Sequence, residues 1–306
     1  MTDAAPASTT LRPALPTDLR LTLGSLRRGP GDPHLRFEPG GVWRTARTPA
    51  GPGTVHLAER PGGEIAVHAW GPGADWLVAT APDLVGARDS LDGWDPPYPV
   101  LRDLHVRHPG FRVPRSGVVM DMLVPAIIEQ RVLGHDAWRS WRQLLYRFGE
   151  PAPGPAGMPP LRVVPPPELL ARIPSWEWHR VGVEEARARV VRSAAQVAGR
   201  LEEAVSMPPE EALRRLRVVP GVGPWTAAET AQRALGDADA VSVGDLHLPA
   251  FVGWVLAGHR VDDDGMLELL EPVRGHRYRA TRLLELSGLR NPRFGPRYSG
   301  RDIRTF

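Results

Sequence analysis

Two hydrophobic periods divide the chain. Between residues 21 and 70, short runs with apolar and polar positions in alternation (21–26, 42–48, 54–59 and 64–70) are separated by turn formers such as Pro61-Gly62-Gly63. Such runs predict strands that bury one face. Residues 74–86 then predict a helix with Trp76, Leu77 and Val85 inward. From residue 118 the spacing lengthens to that of helices. Residues 118–132 are almost wholly apolar until Glu129, Gln130 and Arg131. Residues 137–148 carry Trp138, Trp141, Leu144, Leu145 and Phe148 on one stripe. The Pro- and Gly-rich residues 150–167 predict a loop. Residues 184–205 predict one long helix with Ala186, Val190, Val191, Ala194 and Val197 inward and arginines outward. The expectation is an α+β fold with four parts. Residues 1–18 form an unstructured leader, 19–112 a small antiparallel α+β domain, 113–288 a helical domain, and 289–306 a basic tail with Arg290, Arg293, Arg297, Arg301 and Arg304. The join falls near residues 105–110.

The pattern is most specific around Val219-Pro220-Gly221-Val222-Gly223-Pro224-Trp225-Thr226. A short helix is expected over 208–216. A second starts at Pro224, where a first-turn residue tolerates the missing N–H, and runs along Trp225, Ala228, Ala231 and Leu235 to a stop at Gly236. Between them, two glycines one residue apart allow a sharp turn with its amides uncovered beside a helix N-terminus, which is a phosphate-sized anion site. Asp245 lies 20 residues beyond Trp225 and opens a further helix with Leu248, Phe251, Val252 and Val255. By position it is a helix cap, and a cap can also be a reactive carboxylate.

Composition narrows the chemistry. The chain has 306 residues and no cysteine, which excludes disulfides, thiol nucleophiles and cysteine-held zinc or iron–sulfur clusters. The sequence holds no lysine, so all 38 basic residues are arginine. No lysine amine is therefore present to form a Schiff base with an opened sugar. No 18-residue apolar run and no basic-hydrophobic leader occur, so neither membrane insertion nor export is expected. The net charge of +3 adds little.

The hairpin and the aspartate that follows it resemble those of the helix-hairpin-helix DNA glycosylases. Residues 118–286 are similar to the bacterial 3-methyladenine DNA glycosylase II group, and residues 21–108 only in type. The resemblance implies that Gly221, Gly223 and Thr226 grip a DNA phosphate and that main-chain carbonyls of Val219 and Val222 hold a monovalent cation, Na+ or K+. No other cofactor is required. It also implies that Asp245 is catalytic and that Trp225, Glu229 and His276 line the base pocket. Ala126-Ile127-Ile128-Glu129-Gln130-Arg131-Val132 is similar to the segment whose wedge fills the hole left by an everted nucleotide. This carries Gln130 to the minor groove and makes Arg131 the wedge, with a guanidinium that can stack where the group has an apolar residue. Arg277 becomes a phosphate ligand. Trp225 stands where the lyase members have their lysine.

The implied reaction is monofunctional N-glycosylase chemistry in base excision repair, with double-stranded DNA bearing a damaged, alkylated base as partner. Glu229 lies on the Trp225 face by its i+4 spacing, where the group has an aromatic residue. It is a hydrogen-bond acceptor for a base or simply the partner of Arg233. A monomer, cytoplasmic and nucleoid-associated in a bacterium, is expected. The alternative is a non-catalytic hairpin protein that binds damaged or distorted duplex, with Asp245 as a cap only.

Overall fold

The computed structural model describes residues 6–290. The leader up to residue 5 and the tail from residue 291 lie outside the described residues. An antiparallel sheet is built from β1 (Ala7–Leu11), β2 (Leu35–Glu38), β3 (Gly41–Thr48), β4 (Gly51–Glu59) and β5 (Ile65–Trp70), in the order β1-β5-β4-β3-β2. Register pairs Val42 with Leu57 and Leu57 with Val67, which stacks three buried side chains on one face. The same register sets Arg36, Trp43, His56 and His68 in one row on the other face.

Two expectations here are corrected. Part of the supposed leader is strand β1, because Ala7 to Leu11 pair with β5 along its free edge. Residues 21–26 are not a strand. They belong to α1 (Leu19–Leu23) and a following 3-10 turn, since Asp18 caps Leu21 N at 2.9 Å and Leu19, Leu23 and Leu26 are buried together at helical spacing. Strand β2 is too short to show a period and was not expected.

Helices follow: α2 (Ala74–Leu84), α3 (Pro99–Arg107), α4 (Val119–Ile128), α5 (Gly134–Phe148), α6 (Pro167–Leu170), α7 (Ser175–Arg180), α8 (Glu185–Gln196) and α9 (Ala198–Glu202). Helix α3 runs into the expected join and ends at Arg107 within it, and a two-stranded ribbon, Glu150–Pro151 with Arg162–Val163, closes the expected loop. The long helix expected over 184–205 breaks at Val197, whose backbone leaves helical geometry (φ −117°, ψ 19°) and whose side chain is exposed. Its buried stripe is also rotated from the expected one. Arg187, Ala188, Val191 and Ala194 face in, while Ala186 faces out.

The remaining helices are α10 (Pro209–Leu216), α11 (Pro224–Ala234), α12 (Leu248–Ala257), α13 (Asp263–Leu270) and α14 (Arg277–Leu286). One core joins the sheet to α4, α5, α8 and α11. A second joins Leu101, Leu104 and Phe111 to Val252, Met266, Leu270 and Leu283 of α12–α14. The packing is therefore not divided at residue 112. The cleft between the two cores is bordered by α11 and by the loop that carries Asp245.

Candidate active site

Helix α4 is buried along its whole length, so its ends need polar partners from elsewhere. At its start, Glu202 accepts the amides of Val119 and Met120 at 2.7 and 2.9 Å. Burial pushes the Glu202 carboxyl up to about 7 against the pull of those two bonds. At its end, Arg187 donates to Ile128 O at 2.7 Å, which explains why an arginine sits on the inner face of α8. Glu129 accepts from Arg28 at 2.7 Å and from Trp138 at 3.2 Å. The turn beyond is thus clamped from three sides. At its tip Arg131 is exposed and left-handed, with φ 54°, the one non-glycine residue with positive φ among the described residues. Such a conformation in arginine is strained and is held only where the surroundings impose it.

Gln130, next to it, uses its side-chain amide as a brace. Nε2 donates to Gly221 O at 2.9 Å and to Thr226 Oγ1 at 2.8 Å, tying the α4 turn to the hairpin. This narrows one carried-over role and corrects another. Both amide hydrogens of Gln130 are spent inside the protein, which leaves only its carbonyl oxygen for DNA, and the Thr226 hydroxyl is buried and bonded, so it is not a free DNA contact. Only the backbone N–H of Thr226, in the first turn of α11, remains of the kind an anion needs.

The two hairpin glycines differ. Gly221 has φ 95°, and a Cβ there would lie 2.3 Å from Val190 Cγ2, so the fold demands glycine. Gly223 caps α11 in ordinary extended geometry (φ −88°), and a Cβ added to it would meet nothing within 4 Å. Nothing inside the protein asks for glycine there. Val222 N closes the turn on Val219 O at 3.0 Å. That carbonyl oxygen keeps its second lone pair.

Asp245 sits at the meeting point of these elements, half-buried. Its Oδ2 accepts the Trp225 indole N–H at 3.0 Å, and its Oδ1 accepts the amides of His247 and Leu248 at 2.8 and 2.9 Å. It therefore caps α12 from three residues upstream, through an Asx-type turn, and it also lines a cavity of about 180 Å³. Glu229, Ser242, Phe251 and Tyr278 also line that cavity.

Glu229 does reach the cavity, already partnered. Oε2 pairs with Arg233 at 2.8 Å, and Oε1 accepts from Ser242 at 2.6 Å. Burial works against the Arg233 charge, but Glu229 together with Tyr278, Glu129 and Glu285 outweighs it and holds the guanidinium protonated. Gln232 adds bonds to Ala240 O and Ser242 Oγ, both at 2.9 Å.

His276 is not a pocket residue. It is buried, accepts from Arg279 Nε at 3.1 Å, donates from Nε2 to Asp92 O at 2.7 Å, and lies edge-on to Trp94. Since Arg279 only donates, Nδ1 must be the acceptor and Nε2 carries the proton. Arg277 is likewise committed. Its Nε and a terminal nitrogen bond the two Asp239 oxygens at 2.9 and 2.5 Å, and its amide bonds Asp239 at 3.1 Å. Burial alone would raise the Asp239 carboxyl, but the Arg277 bonds hold it below its usual range. An arginine paired this way is not a free phosphate ligand.

Sequence reasoning missed Ser242, Phe251 and Tyr278. The i, i+4 pair of Glu229 and Arg233 was a usable signal for the wall they complete; Tyr278 had none, and Trp225, expected in the pocket, holds Asp245 but does not line the cavity.

A helix, a tight hairpin and a second helix whose first tryptophan holds an aspartate beside a cavity, set in an α+β frame, define the helix-hairpin-helix DNA glycosylase fold, and this chain has it. The structure is similar to 3-methyladenine DNA glycosylase from Archaeoglobus fulgidus, with a TM-score of 0.75 at 18% identity over 90% of this chain and 97% of that one. It is similar to an 8-oxoguanine glycosylase/lyase of Clostridium acetobutylicum, with a TM-score of 0.71 at 13% identity over 93% and 99%. In sequence, 154 residues covering 49% of this chain are 32% identical to a Mycobacterium tuberculosis protein described as a probable bifunctional transcriptional activator/DNA repair enzyme AlkA. The match spans 30% of that relative. No family model matches the chain.

Proposed function

We propose that the chain is a monofunctional DNA N-glycosylase that removes an alkylated base from duplex DNA in base excision repair. The observation that carries the reading is Asp245: half-buried, oriented by Trp225 and two backbone amides, and bordering a base-sized cavity next to the hairpin. Amides at the start of α11 bind a phosphate, Arg131 enters the vacated stack, and the everted nucleotide turns into the cavity. The N-glycosidic bond breaks with its electron pair leaving on the base, which an alkylated cationic base accepts to become neutral. The Asp245 carboxylate stabilises the sugar cation that remains. Water adds at the anomeric carbon and its proton passes to the carboxylate or to solvent.

The lack of lysine supports hydrolysis without strand cleavage, because no lysine amine is available to trap the sugar. The carbonyls of Val219 and Val222 would hold Na+ or K+ at the hairpin, stiffening the phosphate grip. The partner in this reading is double-stranded DNA with a damaged base, met by a monomer. Among the described residues no helix is long and apolar enough to cross a membrane.

The deciding experiment incubates duplexes, each with a single lesion, with wild type and Asp245→Asn, then adds alkali. Base release by wild type, lost in the variant while DNA binding survives, is the expected result. Binding without release from any lesion gives Asp245 a capping role only and makes the protein a damage-recognition module. Nicking before alkali contradicts monofunctional chemistry.

A further inference from the structure

We infer that Asp263, in the first turn of α13, is a positioning residue that anchors the loop presenting Asp245. This rests on the proposed glycosylase reading, in which the Asp245 carboxylate must meet the everted sugar at a fixed depth. Val243 N bonds Val241 O at 2.8 Å and Asp245 N bonds Ser242 O at 3.2 Å, so both amides are spent inside the loop itself. Gly244 N, between them, reaches out of it. It donates to Asp263, 19 residues further on, with the two carboxylate oxygens at 3.1 and 3.2 Å.

Gly244 needs such an anchor. Its φ is 92°, and a Cβ added to it would meet nothing within 4 Å. Glycine adopts either sign of φ about as readily, so neither stereochemistry nor packing fixes the bend one residue before Asp245. The side-chain bonds of Asp245 run to α11 and to the start of α12. They orient the carboxylate and leave the backbone ahead of it to Asp263. The Asp263 carboxylate has no competing partner among the described residues, because Asp262 supplies the cap of α13 by accepting Gly265 N at 3.0 Å. Helix α13 is a firm support, since Met266 and Leu270 pack with Val252 of α12 in the second core. A backbone N–H donating to a carboxylate makes a charge-assisted bond, stronger than a neutral one. This one is exposed, so it adds little to overall stability, whereas a misplacement of a reacting group by about 1 Å costs rate steeply.

The test compares the full chain with Asp263→Ala and Asp263→Asn. Asparagine keeps a side-chain oxygen for Gly244 N–H and loses the charge, whereas alanine loses both. Single-turnover release at saturating protein is measured from duplexes bearing 7-methylguanine or 3-methyladenine. It should fall about tenfold in Asp263→Ala, and Asp263→Asn should recover most of that loss. Affinity for the same duplexes should stay within about twofold of wild type in both variants. A residue that merely stabilises the start of α13 would lower the urea midpoint and leave release by the folded protein unchanged, and that result overturns the assignment. An equal loss in both variants also overturns it, because the charge rather than the anchor would then be responsible. Hydrogen exchange of the amides of residues 243–248 is the second readout and needs no catalysis. Exchange should be faster than wild type in Asp263→Ala and close to wild type in Asp263→Asn. If wild type releases neither base, the glycosylase reading fails. Faster exchange confined to Asp263→Ala still supports the anchor, and unchanged exchange refutes it.

Discussion

Trp225 and Asp245 are joined by a single hydrogen bond, indole Nε1 to Oδ2 at 3.0 Å, which ties the first turn of α11 to the loop opening α12. The bond aims a carboxylate whose other oxygen is already fixed by two backbone amides. Replacing Trp225 by Phe keeps an aromatic ring and removes only the donor. A hydrogen bond to a charged group is worth about 1.5–3 kcal/mol. Single-turnover base release should therefore fall roughly 10- to 100-fold, with affinity for lesion DNA within about threefold of wild type by gel shift. An unchanged release rate would mean that the indole does not orient the carboxylate.

Arg131 carries a conformation that glycine adopts freely, at the tip of a turn clamped by Arg28, Trp138 and Arg187. Arg131→Gly should keep or raise stability, by up to about 1 kcal/mol, since the strain of the left-handed backbone is relieved. The same change should abolish the fluorescence rise of 2-aminopurine placed beside a lesion, because the wedge is gone. Loss of stability in urea, or unimpaired extrusion, would each contradict this division between fold and function.

The helices around the hairpin were legible because amphipathic spacing, Pro at the first helical turn and a Gly stop all agreed over residues 208–236. Asp245 and Trp225 were legible by their interval. The illegible part was which polar side chains had already found partners. Arg277 read as a phosphate ligand and His276 as a pocket residue because nothing in the sequence announces Asp239 or Asp92 O, 38 and 184 residues away. Arg187 read as an outward arginine because the carbonyl it caps, Ile128 O, is 59 residues away. Helix α1 was taken for a strand because five residues are too few to distinguish the two periods without the Asp18 cap.

The contrast between the two hairpin glycines separates folding from binding. Gly221→Ala forces a Cβ against Val190 in a left-handed backbone and should destabilise by about 2 kcal/mol or more, read as a lower urea midpoint. Gly223→Ala meets open space in extended backbone and should leave the midpoint unchanged while weakening duplex binding about tenfold, because the added methyl stands where a phosphate would approach. If Gly223→Ala binds duplex as wild type does, the phosphate does not sit on this amide.

Stability should depend on pH through Asp121, which is fully buried in α4 and accepts the Arg47 amide at 3.1 Å. Burial raises its carboxyl from 3.8 to about 6, although the charges of Arg44 and Arg47 and the backbone bond pull the other way. The folded state thus holds this proton more tightly than the unfolded chain does. The contribution is fully present below about pH 4 and is lost as pH rises through about 6. A shift near two units corresponds to about 3 kcal/mol. Glu202, raised to about 7, acts in the same direction over a window that closes slightly later. Asp239, held low by Arg277, acts in the opposite sense, but only in stronger acid, below the unfolded carboxylate range. Burial holds the imidazoles of His34, His56 and His105 below their usual range, so they act against these carboxyls as pH falls below about 6.5. The Asp121 contribution is therefore read by difference. Asp121→Asn should be less stable overall, with Arg44 left beside a neutral amide, and the gap between its urea midpoint and that of wild type should widen as pH is lowered from 8 to 5. A gap that stays constant over that range would show that Asp121 does not take up a proton in the folded protein.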